Sequence, residues 1–404
     1  MDIPTLRSQT PGTTHRIHLN NAGASLMPSG VLHTIQQHLK LESEVGGYEA
    51  AALARDRIAH VYQTMGRLLG VESHHVALVE NATAAVAQAL SSIPWKPGDV
   101  LLTTRNDYAS NQIMYLSLEA RFGVEVVRAP DAPEGGVHVA ALEELVHRRR
   151  PRLVAVTHIP TSSGLIQPVE AVGRVCRERD TLYLVDACQS VGQMPVHLEE
   201  IGCDFLTGTA RKFLRGPRGA GFLAVSDRVL DGGLEPLFPD MRGADWIQDD
   251  LYQPVPDARR FENWEFAYGL VLGMGAAAEL ALELGLNAIQ SRVRTLSQGL
   301  RDRLATVEGV RLLDEAGRVA DGGSQLGAIV PVHVEAWEAA DVVNRLRKAG
   351  VNTSSMDRTS AVMDLDGKGV DDLLRFSPHY FTTDEELDRG VEALDRLLRD
   401  NPSS

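Results

Sequence analysis

Cysteine is scarce in this chain: Cys176, Cys188 and Cys203 are the only three in 404 residues. They are too few and too widely spaced for a disulfide framework or a CxxC metal site, so all three are expected to be reduced thiols and no metal centre is expected. Long apolar runs are missing as well. The N-terminal stretch MDIPTLRSQTPGTTHR has no apolar region of the kind a signal segment carries, and the most apolar stretch, LVLGMGAAAELALELGL, is broken by Glu279 and Glu283. A cytoplasmic protein with no membrane partner is the expectation. Positive charge is in deficit: 54 acidic side chains against 40 basic ones leave a formal charge of −14. Such a surface repels a phosphate backbone, so no nucleic-acid partner is expected. The one basic run, Arg148 to Arg150, ends the helical stretch AALEELVHRRR, where cations complement the helix dipole. No GxGxxG follows the first strand, which counts against a dinucleotide-dependent dehydrogenase. No basic helix-turn-helix precedes residue 56.

What is present is the composition of a globular protein, 44% hydrophobic and 23% charged, in a chain long enough to divide into a large and a small domain. From residue 56 to 230 short β-branched runs alternate with amphipathic stretches. Candidate strands are DVLLTT near 99, VEVVRAP near 124, LVAVTH near 153, LYLVDA near 182 and GAGFLAVS near 219. This is the pattern of an α/β fold, a large domain with a mainly parallel sheet flanked by helices, followed by a smaller α+β C-terminal domain. Residues 232–262, rich in Pro, Asp and Arg, read as a long excursion without periodicity. The expected division is an N-terminal arm at 1–28, the large domain at 29–265 and the small domain at 266–404.

The most informative segment is DFLTGTARKFLRGPRGAGFLAVS, residues 204–226. Lys212 follows the small-residue run TGTAR and precedes Gly-Pro and Arg-Gly turns, so its side chain leaves a tight loop and not a solvated helix face. Arg211, Arg215 and Arg218 cluster with it, and on this segment alone a phosphate-binding basic loop is an equal reading. A second segment, LYLVDACQSVGQ, tips the balance. Asp186 stands at the carboxyl end of a strongly apolar strand, where open α/β sheets place ligands. A carboxylate there can hold a pyridine nitrogen protonated and keep such a ring an electron sink. A helix N-cap is the plain alternative for Asp186 alone. Gln189, just beyond, is placed to hydrogen-bond a ring oxygen.

Asp186 and Lys212, separated by a strand and a turn, resemble the aspartate and Schiff-base lysine of fold-type-I pyridoxal-phosphate enzymes. HLNNAGASLMP near 18 and LRFSPHYFTTDEELD near 374 extend the likeness to the class V aminotransferase and cysteine desulfurase family, and TARKFLRGPRGAGFL to its sulfoxide-lyase and epimerase-like branch. The resemblance makes Lys212 the covalent attachment point of pyridoxal 5'-phosphate and the Cα proton shuttle, with Asp186 on the pyridine nitrogen. Asn81, Ala82 and Thr83, in VALVENATAAVAQAL, match the turn that opens a helix under the cofactor phosphate, a placement that suits an anion. An ordinary helix cap is the alternative there. Thr209 and Arg211 sit where the family adds phosphate contacts; many relatives carry His at the second position, and a guanidinium also pairs well with phosphate. Tyr108 in RNDYASN matches the ring that stacks on the pyridine, and His158 the polar group near the ring oxygen, with a core Tyr and a core His as the alternatives. Arg375 matches the clamp for a substrate α-carboxylate, against a surface salt bridge as the alternative. Asn20 and Asn21 resemble the arm that folds over the site, with Gly46, Gly47 and Tyr48 approaching from the same region. The segment around Asn263 and Trp264 matches one that meets the partner subunit's phosphate, which implies a homodimer with shared active sites.

The implied function is Cα deprotonation of an amino-acid-like substrate, followed by carbon–sulfur or other β-elimination. An aminotransferase or epimerase of the same family is the alternative, and a non-catalytic regulator with this fold a further one. Because a desulfurase takes sulfur on a cysteine in the C-terminal third and the last cysteine is Cys203, a cysteine-nucleophile desulfurase is not expected.

Overall fold

In the computed structural model, which describes residues 1–133, 135–314 and 326–400, the chain builds a seven-stranded sheet. Its spatial order is Val76–Val79, Gly221–Val225, Phe205–Thr209, Leu182–Asp186, Leu153–Thr157, Val100–Thr103 and Glu125–Arg128. The five strands from Phe205–Thr209 to Glu125–Arg128 run parallel. Gly221–Val225 is antiparallel to both of its neighbours. Leu182–Asp186 and Leu153–Thr157 are buried along their whole length, which is why both read as continuous apolar runs and not as alternating ones. Helices pack close over the sheet and on each other: a Cβ added at Gly173, in helix Val169–Glu178, would lie 1.8 Å from the Ile201 carbonyl oxygen of helix Leu198–Ile201 and 3.5 Å from the ring of Tyr183 in the sheet. The register sets Thr157 beside Asp186 and Asp186 beside Thr207, so the carboxyl ends of three central strands converge.

Two elements differ from expectation. VALV, not among the candidate strands, forms the edge strand Val76–Val79. The excursion after Gly232 contains an antiparallel hairpin, Ala244–Gln248 with Leu251–Pro254. Most of its residues are exposed on both faces, so no alternation of polar and apolar residues marked it.

A second sheet is wholly antiparallel, in the order Val310–Leu312, Val330–Val334, Asp372–Phe376, Ser354–Asp357. Its apolar face shares a core with helices Leu286–Leu304, Ala339–Lys348 and Asp384–Asp400. The N-terminal arm joins it: Ile17–His18 pairs with Val351–Asn352, and Ile17 and Leu19 lie in the same core. Helix Tyr268–Leu284, expected to open the small domain, packs instead on helices Ser29–Val45 and Arg55–Leu69. Gly273 and Gly275 bring it against Ile35 and Val61. Among the described residues no single helix is long and apolar enough to cross a membrane.

Candidate active site

Lys212 sits in the loop between Phe205–Thr209 and Gly221–Val225. The loop closes on itself, with the Gly216 amide donating to the Ala210 carbonyl at 2.8 Å and the Arg215 amide to the Lys212 carbonyl at 2.9 Å. Lys212 is 7% exposed. Burial pushes its ammonium below the ordinary range, while Cys188 and Asp186 pull it back. The Nζ atom is 5.8 Å from the centre of the Tyr108 ring, so that ring stands beside the amine.

Asp186 is buried at its strand end. Its Oδ1 accepts from the Cys188 amide at 2.9 Å and its Oδ2 from the Asn111 side-chain amide at 3.0 Å. The other N–H of that Asn111 amide reaches Asp107 Oδ1 at 3.1 Å. Asp107 is itself ringed by donors: the Tyr108 amide and the Thr157 hydroxyl on Oδ1, and the Thr103 and Tyr115 hydroxyls, both at 2.9 Å, on Oδ2. Burial pushes the Asp107 carboxyl upward, and its donors, Thr157 first, pull it down. Two of these five groups are N–H donors that cannot accept, and the three hydroxyls can all turn to donate, an arrangement that suits the carboxylate.

On the opposite side of the amine, helix Ala82–Ser92 begins with Asn81 as N-cap, its Oδ1 accepting from the Ala84 amide at 2.9 Å. The first-turn N–H groups of Ala82 and Thr83 have no acceptor within a helix and face the same cavity. Thr209 and Arg211 line it too, and Arg211 donates to the Gly23 carbonyl of the N-terminal arm.

The cavity has a volume of about 360 Å³. Of the residues singled out from sequence, Asn81, Ala82, Thr83, Tyr108, Asp186, Gln189, Thr209, Arg211 and Lys212 all line it. Gln189 donates to the Ala22 carbonyl and the Thr161 hydroxyl, and its Oε1 is buried without a partner. Arg375 stands behind Thr161. It donates through Nη1 to the Thr161 carbonyl at 3.0 Å and hydroxyl at 2.6 Å, and through Nε to the Ser354 hydroxyl at 3.1 Å. These bonds involve no carboxylate. Burial, and then Arg211, press its guanidinium down to about 10.

Besides Arg375, others among the expected residues do not line the cavity. His158 is buried with Nδ1 unpaired, and burial alone pushes it down to about 4, so it is a neutral imidazole outside the lining. Asn21 is buried in the arm, donating to the Ser377 carbonyl and accepting from Ser25. Tyr48 is 77% exposed. Trp264 is half-exposed, its amide held by Asp240. Sequence reading missed Asp107, Asn111, Thr157 and Thr161. Only the acidic and amide residues flanking Tyr108 in RNDYASN hinted at the first two.

The donor set fits an elongated ligand with a basic ring nitrogen at one end and a dianion at the other. It offers a carboxylate, a buried amine and a helix N-terminus around one cavity, with an unpaired amide oxygen in the lining. On this sheet, with the site at the strand ends, that is a pyridoxal-phosphate enzyme of fold type I. The chain belongs to the class-V aminotransferase family, whose model matches residues 17–389, and its cofactor is pyridoxal 5'-phosphate. A probable cysteine desulfurase of Methanothermobacter thermautotrophicus is 26% identical over 98% of this chain and 96% of its own length. A probable hercynylcysteine sulfoxide lyase of Mycobacterium tuberculosis is 27% identical, covering 94% of this chain and 89% of its own. The apo cysteine desulfurase of Thermococcus onnurineus NA1 superposes with a TM-score of 0.89 at 21% identity over 98% of each chain. These findings correct one expectation. The exclusion of a cysteine desulfurase rested on where cysteines fall in the sequence, and it does not stand when full-length relatives at this level of identity are cysteine desulfurases. The position of a cysteine along the chain does not fix its distance from a reacting sulfur, which the fold decides.

Proposed function

We propose that the protein breaks the Cβ–S bond of a cysteine-derived amino acid. One observation carries the reading: a buried arginine with no carboxylate partner, Arg375, stands behind Thr161, which lines the cavity that holds the buried amine of Lys212. It is supported by the relation to a sulfoxide lyase. Arg375 binds the substrate carboxylate in a charge-assisted pair, and Tyr108 covers the ring face. Lys212 Nζ takes the proton from Cα. The pair left on Cα then forms the Cα–Cβ double bond as sulfur departs from Cβ with its bonding pair, and water converts the released enamine to pyruvate and ammonia. Pyridoxal phosphate, when bound, supplies the electron sink for that pair. Asp186 holds the ring nitrogen in its protonated form, and the unpaired Oε1 of Gln189 accepts from the ring hydroxyl, with His158 behind the lining. Asn81, Ala82, Thr83, Thr209 and Arg211 bind the phosphate.

Asn21 shapes the arm that closes the site, and Tyr48 and Trp264 act across a homodimer contact. Exposed Phe238 and Trp246, near the hairpin, support a second copy covering this side. Sedimentation of the purified protein at twice the chain mass, 43.9 kDa, checks it. We also infer a cytoplasmic protein with an arm at 1–28, a large cofactor-binding domain at 29–265 and a small C-terminal domain at 266–404, the last two joined by helix Tyr268–Leu284.

The deciding experiment supplies a cysteine S-conjugate or sulfoxide without a keto acid and counts products over many turnovers. Pyruvate and ammonia in equal amounts are expected. Release of alanine from free cysteine in a parallel assay, with the sulfur left as a persulfide on a protein thiol, assigns the desulfurase reaction of the relatives instead. A stall after one turnover, with absorbance moving to ~330 nm as the pyridoxamine form accumulates, assigns an aminotransferase.

A further inference from the structure

At the end of the large sheet remote from Lys212, His74, His75 and Asp227 hold their ligand atoms within 4.8 Å of one another. Two rigid elements place them. His75 closes the 3-10 turn Ser73–His75 immediately before the edge strand Val76–Val79, and Asp227 opens helix Asp227–Asp231 immediately after Gly221–Val225. Those strands are antiparallel with Val76 opposite Ala224, which sets the two side chains next to each other.

The His75 ring is held in one state. Its Nδ1 lies 2.9 Å from the Val225 carbonyl oxygen and donates to it, so in the neutral ring Nε2 carries a free lone pair. That is the outer hydrogen bond typical of an imidazole that ligates a metal. Nε2 is 3.4 Å from Asp227 Oδ1. A charge-assisted hydrogen bond would close to about 2.7–2.9 Å. A tetrahedral ion with bonds of about 2.0–2.1 Å separates its ligand atoms by roughly 3.3 Å. The His74 ring lies alongside, 4.0 Å between centroids and tilted by 40°, so it is not stacked face to face on His75 and its nitrogen can turn to the same point. Two imidazoles with a single carboxylate suit late first-row divalent ions and not Mg²⁺ or Ca²⁺, which prefer sets of oxygens.

We propose that His74, His75 and Asp227 bind one zinc-like divalent ion, with water completing the tetrahedron, and that the ion clips the edge strand Val76–Val79 to its neighbour. The clip is independent of the reaction, although the same strand leads into Asn81 at its far end.

The test uses untagged holoprotein dialysed to equilibrium against Zn²⁺, with Mg²⁺ as the control ion. The expected result is one tight zinc per chain, a zinc-dependent rise in melting temperature, and at least ~10-fold weaker binding with no such rise in His75→Ala and Asp227→Asn. Both variants keep cofactor absorbance and turnover. Should His75→Ala fail to fold, the exposed positions carry the test through His74→Ala and Asp227→Asn. The chain has 13 histidines, so zinc bound with the same stoichiometry and affinity by wild type, His74→Ala and Asp227→Asn would be scattered surface binding and would overturn the site.

Discussion

Arg375 and Asp107 are both buried and charged, and they meet opposite conditions. Asp107 is saturated with five donors, whereas Arg375 has only neutral acceptors. A substrate carboxylate would give Arg375 its first counter-charge. Arg375→Ala is therefore expected to raise KM for α-carboxylate substrates ~10- to 100-fold while cofactor absorbance stays, because a hydrogen bond to a charged group is worth about 1.5–3 kcal/mol. Steady-state kinetics beside a spectrum checks both halves, and an unchanged KM removes Arg375 from the site. The bridge from Asp107 through Asn111 to Asp186 fixes how Asp186 presents its free lone pairs. Asn111→Ala should leave cofactor bound but lower kcat about tenfold and shift the pH titration of cofactor absorbance, a signature that a general packing defect does not produce. Borohydride reduction followed by peptide mapping should fix the cofactor on Lys212 and on no other lysine; an adduct elsewhere would falsify the central assignment.

The loop that carries Lys212 is positioned by a neighbouring turn and not by its own sequence alone. Gly192 has φ of +92°, and a Cβ there would lie 2.3 Å from the Leu214 amide nitrogen. An alanine at this point meets two costs at once, the left-handed backbone and a clash with the backbone two residues from Lys212. Gly98 has a comparable φ of +85° but nothing within 4 Å. Gly98→Ala should cost only the conformational part, about 1–2 kcal/mol, while Gly192→Ala should cost clearly more and weaken cofactor retention. Thermal unfolding of the two variants with and without added cofactor separates these effects, and equal losses would show that the clash is relieved without moving the loop.

Across the whole molecule, three histidines are kept neutral by burial. His18 and His158 are pressed down to about 4 and His379 to about 3, desolvation being the first cause in each. His379 ties the C-terminal segment to the Lys212 loop through the Phe213 carbonyl, while His18 meets the Ala24 carbonyl within the arm and the Asn352 side chain across from it. An unfolded chain protonates them near 6.5, so between that pH and about 4 the unfolded state binds more protons than the folded one. Stability must then fall as pH drops through this window, by roughly 1.4 kcal/mol per pH unit for each fully neutral histidine. Melting temperature measured from pH 7 to 4 should decline in that range, and His379→Gln should flatten the decline; a flat profile in the wild type would mean that these rings are protonated in the fold.

The sequence by itself determined the class of fold and picked out Asp186, Lys212 and Asn81 to Thr83, which line one cavity. Buried parallel strands must be continuously apolar, and a polar residue that ends such a run, as Asp186 does, stands out. Lys212 stood out in the same way, between small residues and turns that exclude a helix face. Local pattern also marked Asn81 to Thr83 as a helix start. Only the tertiary structure decided what meets what. Asp107, Asn111 and Thr161 join the site because separate strand ends and a helix converge there, and no periodicity records convergence. It likewise withdrew His158, Asn21, Tyr48 and Trp264 from the cavity wall of this chain, because the direction of a side chain depends on the packing of its element. The hairpin at 244–254 escaped for the reverse reason: a strand pair that buries neither face leaves no hydrophobic alternation in the sequence.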